Sequence, residues 1–258
     1  MKTYVLSISY DGTNYFGWQK QPDVPTVQGE LEKCLRKLFS TGVKTVGESR
    51  TDRGVHALGQ IVSFEAPSEK YPPQDLARRL NRMLPPDIAV NGAALVEGKF
   101  NARFDSKGKI YKYRIITRKD PFRINYAFLW EILPDENLVA RLNETARMFL
   151  GEHDFSAFSI VKDLPESPLC TITRSEWRLE GDELVYLIEG NRFLHKMVRA
   201  SVGAMIEVIS GRLEISGIKE MLSTGRRVKE FRFAPPQGLF LMKVNVPAEI
   251  KPPLQRES

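Results

Sequence analysis

The sequence predicts an α+β protein: two ferredoxin-like βαββαβ units forming an extended, mostly antiparallel sheet flanked by helices, with a cleft between the domains. Three observations predict it. Short period-2 strands alternate with helical segments whose apolar residues recur every three to four positions. The same order, strand, helix, strand, strand, helix, strand, occurs twice. At 258 residues the chain is long enough for one large domain or two small ones, each with its own core. The boundary falls near Asp105–Gly108, giving an N-terminal domain over 1–105 and a C-terminal domain over 106–258. The halves share pattern, not residue-level identity.

In the first half, Tyr4–Tyr10 alternates as a strand and ends in an Asp11-Gly12 turn. Val27–Phe39 follows as a helix, with Val27, Leu31, Cys34, Leu35 and Leu38 on one face. Val43–Gly47 and Gln60–Glu65 read as strands on either side of a polar loop. Pro72-Pro73 opens a helix through Asp75–Met83, Pro85-Pro86 closes it, and Ile88–Val96 supplies the last strand. In the second half the elements are a strand at Tyr111–Thr117 and a helix at Glu136–Leu150 with Leu138, Leu142, Thr145 and Phe149 aligned. A hairpin of Thr173–Leu179 and Glu183–Glu189 turns at Gly181-Asp182, a long helix spans Arg192–Ile209, and a strand spans Gly238–Val246.

Composition narrows the function classes. The hydrophobic fraction of 42% and charged fraction of 27% are those of a globular protein. A net charge of +6 and a pI near 9.2 favour a polyanionic partner. Cys34 and Cys170 form no disulfide framework, and His56, His153 and His195 are too scattered to suggest a zinc site, so no metal or cofactor is expected. The apolar stretch at the start is too short for a signal peptide and none reaches the length of a membrane span, which points to the cytoplasm.

The polar loop is the most informative stretch. Residues 47–57, Gly-Glu-Ser-Arg-Thr-Asp-Arg-Gly-Val-His-Ala, set Asp52 between Arg50 and Arg53, with Gly54 permitting a tight turn. Opposite charge nearby favours the ionised carboxylate, the state required of a nucleophile. The same spacing also suits a turn aspartate paired with an exposed arginine. His56 carries no accompanying Ser or Cys nucleophile and reads as structural.

Elsewhere, Arg192, His195, Lys196 and Arg199 fall at i, i+3, i+4 and i+7 of the expected long helix. That stripe is either a solvated face or a source of a cation for a buried carboxylate, of which Asp52 is the obvious one. Gly203 extends the face and lets another backbone approach closely. Lys107–Arg114 interleaves cations with Tyr111 and Tyr113, which share one face of a strand. Such tyrosines either stack on nucleobases while the cations hold phosphates, or face the core. Arg78, Arg79, Arg82 and Arg103 add positive charge, and Gly17-Trp18-Gln19-Lys20-Gln21 either lines a cleft or caps the sheet.

Taken together, these segments resemble the TruA family of tRNA pseudouridine synthases nearly end to end. The resemblance is carried by Tyr10-Asp11-Gly12 and Gly17-Trp18-Gln19, Thr26-Val27-Gln28, the Arg-Thr-Asp-x-Gly-Val-His signature at Arg50–His56, and Leu80-Asn81-x-x-Leu84-Pro85. It continues through Phe100-x-Ala102-Arg103-Phe104, Tyr111-x-Tyr113, Gly151-x-His153-Asp154-Phe155, Phe193-Leu194-His195-x-Met197-Val198-Arg199 and Ala234-Pro235-x-x-Gly238-Leu239. Ser49 and Arg53 stand where the family usually has Gly and a small residue.

The resemblance implies isomerisation of uridine to pseudouridine in the anticodon stem-loop of tRNA, without cofactor, by a homodimer. It implies that Asp52 is the nucleophile, that Arg199 pairs with it, and that Tyr111 stacks on the target base and helps remove the carbon-5 proton. Arg50 then takes the place of the flipped base, and Arg103, Arg192 and His195 contact the RNA. A purely RNA-binding protein would leave an aspartate amid arginines without purpose, since it repels phosphate. A metal-dependent phosphodiesterase would want several clustered carboxylates, and only Glu48 lies near Asp52.

Overall fold

The computed structural model describes residues 2–65, 67–68 and 70–250. Met1, Ala66, Glu69 and residues 251–258, which fall in the two expected domains, lie outside the described residues. The chain is α+β with mostly antiparallel strands and divides into two compact units. One holds the residues up to Lys107 together with those from Phe240 onward, and the other runs from Gly108 to Leu239.

In the first unit, β1 (Lys2–Tyr10) pairs antiparallel with β3 (His56–Glu65) and with β4 (Ile88–Glu97). The apolar face of α1 (Val27–Phe39) buries Val27, Leu31, Cys34 and Leu35, and its start is capped by Thr26, whose hydroxyl accepts from Gly29 N at 3.2 Å. Helix α2 (Pro73–Asn81) begins with a proline, where its fixed φ suits the first helical position, and buries Leu76, Ala77 and Leu80.

The expected strand at Val43–Gly47 shortens to β2 (Val46–Gly47). Thr45 N donates to Glu32 Oε1 at 2.9 Å and Thr45 O accepts from Gln28 Nε2 at 2.9 Å, so side chains of α1 take its backbone groups from the ladder. β2 therefore meets only Val62 and Ser63 of β3. The start of that same β3 edge, His56 and Ala57, pairs in parallel with Phe240 and Leu241 of β10 (Leu239–Asn245). The C-terminal strand, expected as the last strand of the second half, thus pairs within the first unit and covers an otherwise open edge.

In the second unit the sheet order is β5 (Gly108–Ile116), β9 (Glu183–Gly190), β8 (Leu169–Glu180) and β7 (Gly151–Asp154), all antiparallel, with the short β6 (Phe128–Leu129) beside β5. The β8–β9 turn is at Gly181-Asp182 as expected, with Gly181 at φ 63°. Helix α4 (Glu136–Ala146) ends earlier than its periodicity suggests, in a 3-10 turn over Arg147–Phe149 that still buries Phe149. Sequence periodicity missed α3 (Ala102–Asp105), in the first unit, and α6 (Ile215–Thr224), whose apolar positions are interrupted by Gly217 and Lys219.

The largest correction concerns α5, which spans Met197–Ile209 and not Arg192–Ile209. Lys196 sits at φ 62°, a left-handed conformation that ends helical continuity, and Asn191 is tied to Thr171 of β8 by two hydrogen bonds of 2.9 and 3.0 Å. Arg192, His195 and Lys196 consequently precede the helix, and the expected basic stripe does not form.

Around the β8–β9 turn, Arg123 bonds Asp182 through both Nη atoms, at 2.7 and 2.8 Å, and Asp120 through Nε at 2.7 Å. Hydrogen bonding from Arg123 holds the Asp182 carboxyl down at about 2. A carboxyl lowered from its unfolded value near ~3.9 stabilises the fold above that value and loses its contribution as pH falls through the folded value. The gap in Tm between wild type and Arg123→Ala is expected to be widest at neutral pH and to close between about pH 4 and 2. A gap that widened on acidification would contradict this account of the network.

Candidate active site

Asp52 lies on the loop between β2 and β3, half-buried. Asp52 O accepts from Val55 N at 3.1 Å, and Gly54 at φ 75° occupies the third position of that turn, which only glycine adopts without strain. The predicted tight turn is present, and backbone contacts surround it. Trp18 N donates to Thr51 O at 3.0 Å. A Cβ on Gly17 would stand 2.6 Å from Thr51 O and 3.1 Å from Asp52 C, and one on Gly12 would stand 2.0 Å from Val55 O. At both positions the polypeptide lies directly against the Asp52 loop, so a side chain would displace it. Gly17 also adopts φ 93°, closed to most L-residues.

Side chains complete the hold. Gln60, fully buried in β3, clamps Ser49 with both ends of its amide: Ser49 N donates to Oε1 at 3.0 Å and Nε2 donates to Ser49 O at 2.6 Å. Ser49, standing where the family usually has Gly, donates its hydroxyl to Glu48 Oε2 at 2.6 Å. The Tyr10 and Thr51 hydroxyls share a 2.7 Å hydrogen bond, and burial pushes the Tyr10 pKa up, keeping the phenol neutral. Trp18, itself buried, packs against Gly47, where a Cβ would stand 2.4 Å from the indole. The Gly17-Trp18-Gln19 segment is thereby the inner wall of the Asp52 loop.

His56, read as structural, is buried and stacks on Phe240 at a centroid distance of 4.6 Å. Its Nδ1 lies 3.2 Å from Gly12 N and 3.1 Å from Asp11 Oδ1. A neutral Nδ1 accepts from the first, whereas a protonated one donates to the second, so one nitrogen cannot serve both at once.

Of the other residues that the sequence singles out in this unit, Arg50 and Arg103 are both exposed. Partial burial and the neighbouring positive charge of Arg103 lower the Arg50 pKa. Arg53 lies over the Phe16 ring at 4.2 Å, its charge directed to the aromatic face.

In the second unit, Tyr111 and Tyr113 share a face of β5 as expected, and both are buried. Tyr111 meets Phe193 edge-on at 5.1 Å, and Tyr113 donates its hydroxyl to Pro235 O at 2.7 Å. On the opposite face Lys112 pairs with Glu180 at 2.6 Å and Arg114 with Glu183 at 2.7 Å, so these cations meet carboxylates in the fold. His195 contacts Asp163 at 2.7 Å through Nδ1, while Arg192 is exposed just upstream. Arg199, on the first turn of α5, donates through Nε to Ala234 O at 2.8 Å. Gly203 does admit a close backbone, and that backbone is the chain's own: its Cβ would stand 2.1 Å from Arg232 O. Sequence reasoning missed Gln60, Tyr10 and the tight packing at Gly12 and Gly17. Their signal was present in the Tyr10-Asp11-Gly12 and Gly17-Trp18-Gln19 segments, but only three dimensions connect it to Asp52.

An aspartate on a backbone-fixed loop, with an arginine two residues before it and another directly after it, suits nucleophilic attack on an electron-poor carbon of a polyanionic substrate. Residues 6–105 and 145–247 match the family model described as tRNA pseudouridine synthase. Proteins named tRNA pseudouridine synthase A align over nearly the whole chain. That of Thermosipho melanesiensis is 42% identical over 246 residues, 95% of this chain and 99% of its own length. That of Methylacidiphilum infernorum is 38% identical over 249 residues, 95% and 96% of the two chains. That of Parabacteroides distasonis is 38% identical over 252 residues, 98% and 99%. The chain belongs to the tRNA pseudouridine synthase family. It is accordingly an isomerase converting uridine to pseudouridine, which sets aside the phosphodiesterase and purely RNA-binding alternatives. Among the described residues no helix is long and apolar enough to cross a membrane.

Gly17→Ala tests the loop geometry. The added methyl is expected to shift residues 51–53 and lower single-turnover pseudouridine formation by at least about tenfold, since small misplacements of reacting groups are costly. Wild-type turnover in this variant would show that the close packing does not govern the loop.

Proposed function

We propose that this enzyme isomerises uridines in the anticodon stem-loop of tRNA, with Asp52 as the nucleophile. The single observation that supports it best is the Asp52 loop, whose backbone is held by close contacts and which carries a half-buried aspartate between Arg50 and Arg53 in the chain. The N–C1′ glycosidic bond breaks, the base turns, and C5 bonds to C1′ while the C5 proton leaves and N1 gains one. In this scheme Arg199 balances the charge of Asp52. Tyr111 stacks on the target base and assists removal of the C5 proton, its edge-on contact with Phe193 fixing the ring plane.

Extrusion of a stem uridine costs a few kcal/mol, least where the duplex ends, which favours a target in or beside a loop. Arg50 fills the gap the base leaves. Arg103, exposed in the same unit, is a second cation for the phosphates. Arg192 is an exposed phosphate contact. For His195, RNA contact competes with Asp163, so it binds by exchanging one anion for another. The N-terminal domain carries Asp52, and the C-terminal domain carries Arg199 and Tyr111. A homodimer, working in the cytoplasm, extends the basic surface along a tRNA longer than one subunit of this size.

The test is tritium release from tRNA labelled at uridine C5, followed by mapping of the pseudouridines formed. Wild type is expected to release tritium and to modify only the anticodon arm, while Asp52→Asn binds tRNA equally and loses about 10³-fold or more in rate. Equal release by the Asn variant would overturn the role of Asp52, and pseudouridine outside the anticodon arm would overturn the target.

A further inference from the structure

We propose that the buried hydroxyl of Tyr113, acting through a strap formed by residues 232–238, positions Arg199, which makes Tyr113 a positioning residue of the reaction. The inference rests on the role given to Arg199 above.

The strap runs between α5 and β5, and its attachments follow one another residue by residue. At its start, Arg232 O lies against Gly203 so closely that a Cβ there would be 2.1 Å away. Gly203 is one helical turn beyond Arg199, so the strap docks on the face of α5 that carries the arginine. Next, Ala234 grips Arg199 twice: its N–H donates to Arg199 O at 2.9 Å, and its carbonyl accepts from Arg199 Nε at 2.8 Å. Then Pro235 O accepts the Tyr113 hydroxyl at 2.7 Å. At the far end Gly238 lies against the same tyrosine, where a Cβ would stand 2.8 Å from the ring and 2.8 Å from Arg114 O. Pro235 and Pro236 restrict the backbone between these points.

An arginine side chain has several rotatable bonds and a planar head, and holding Nε fixes the plane and direction of the whole guanidinium. The position of Ala234 O therefore constrains its direction. The Tyr113 hydroxyl bonds the very next carbonyl. Packing alone would be served by phenylalanine at this fully buried position, so the hydroxyl's contribution is the strap. Burial raises the Tyr113 pKa, so the phenol remains a donor at any working pH.

Tyr113→Phe keeps the ring and removes the donor. The expected result is a kcat lower by about tenfold with an unchanged KM for tRNA, as when an interaction serves only the transition state. Placed on an Arg199→Lys background, Tyr113→Phe is expected to cause no further loss, because its effect runs through the guanidinium. Gly203→Ala pushes the opposite end of the strap and should behave alike, lowering kcat in wild type and silent with Arg199→Lys. It tests the strap independently should the Phe variant not fold. Wild-type kcat in both variants, or the same fold-loss in both backgrounds, would overturn the inference. Wild-type turnover by Arg199→Lys alone would overturn the role of Arg199 itself. Loss in Arg199→Lys beside an unaffected Tyr113→Phe would overturn the strap alone.

Discussion

Backbone lying directly on backbone is the constraint around which the first unit is arranged. Gly12 abuts Val55, and Gly17 abuts Thr51, Asp52 and Arg53, all at distances that exclude a side chain. Hydrogen bonds from Trp18 to Thr51 and from Gln60 to Ser49 close the remaining sides. A loop with so few ways to move holds the backbone of Asp52 in one place, which lowers the entropic cost of the role proposed for it. The strand ends contribute as well. β1 delivers Tyr10, β3 delivers Gln60 and His56, and the start of α1 ties down Trp18, with Gln28 N donating to Trp18 O at 3.0 Å.

The same device recurs in the second unit with a different purpose. Gly203 and Gly238 admit the 232–238 segment against α5 and β5, and the segment's carbonyls are then paired with Arg199 and Tyr113. In each unit glycines determine where a polar side chain can stand. This explains why segments without any chemistry of their own, such as Gly17-Trp18-Gln19 and Ala234-Pro235-x-x-Gly238, accompany the residues to which the chemistry is assigned above.

Much of this was legible in the sequence where a local signal decides the outcome. The helix at Val27–Phe39 has a cap, an apolar face and a stop within its own residues, and it forms as expected. The turn at Gly54 and the hairpin at Gly181-Asp182 follow from glycine's tolerance of positive φ. Where long-range contacts compete, local patterns failed. Val43–Thr45 alternates like a strand, but Glu32 and Gln28 capture the Thr45 backbone. Arg192–Lys196 continues the helical period, yet Asn191 is anchored to β8 and Lys196 turns left-handed. Lys112 and Arg114 looked available for phosphate, but their carboxylates arrive from Glu180 and Glu183 on neighbouring strands. The candidate site was available only as a list of residues implied by family resemblance, whereas the reason for the glycines around Asp52 required the fold.

Position, as distinct from charge, is the property that this loop confers on Asp52, and Asp52→Glu separates the two. The variant keeps a carboxylate but extends it by one methylene, about 1.5 Å of reach within a loop that cannot retreat. Single-turnover release of tritium from uridine C5 in bound tRNA is the measurement to make. A rate about 100-fold or more below wild type, with tRNA binding unchanged, is the predicted result. Release within a few-fold of wild type would contradict the account, because any nearby carboxylate would then suffice.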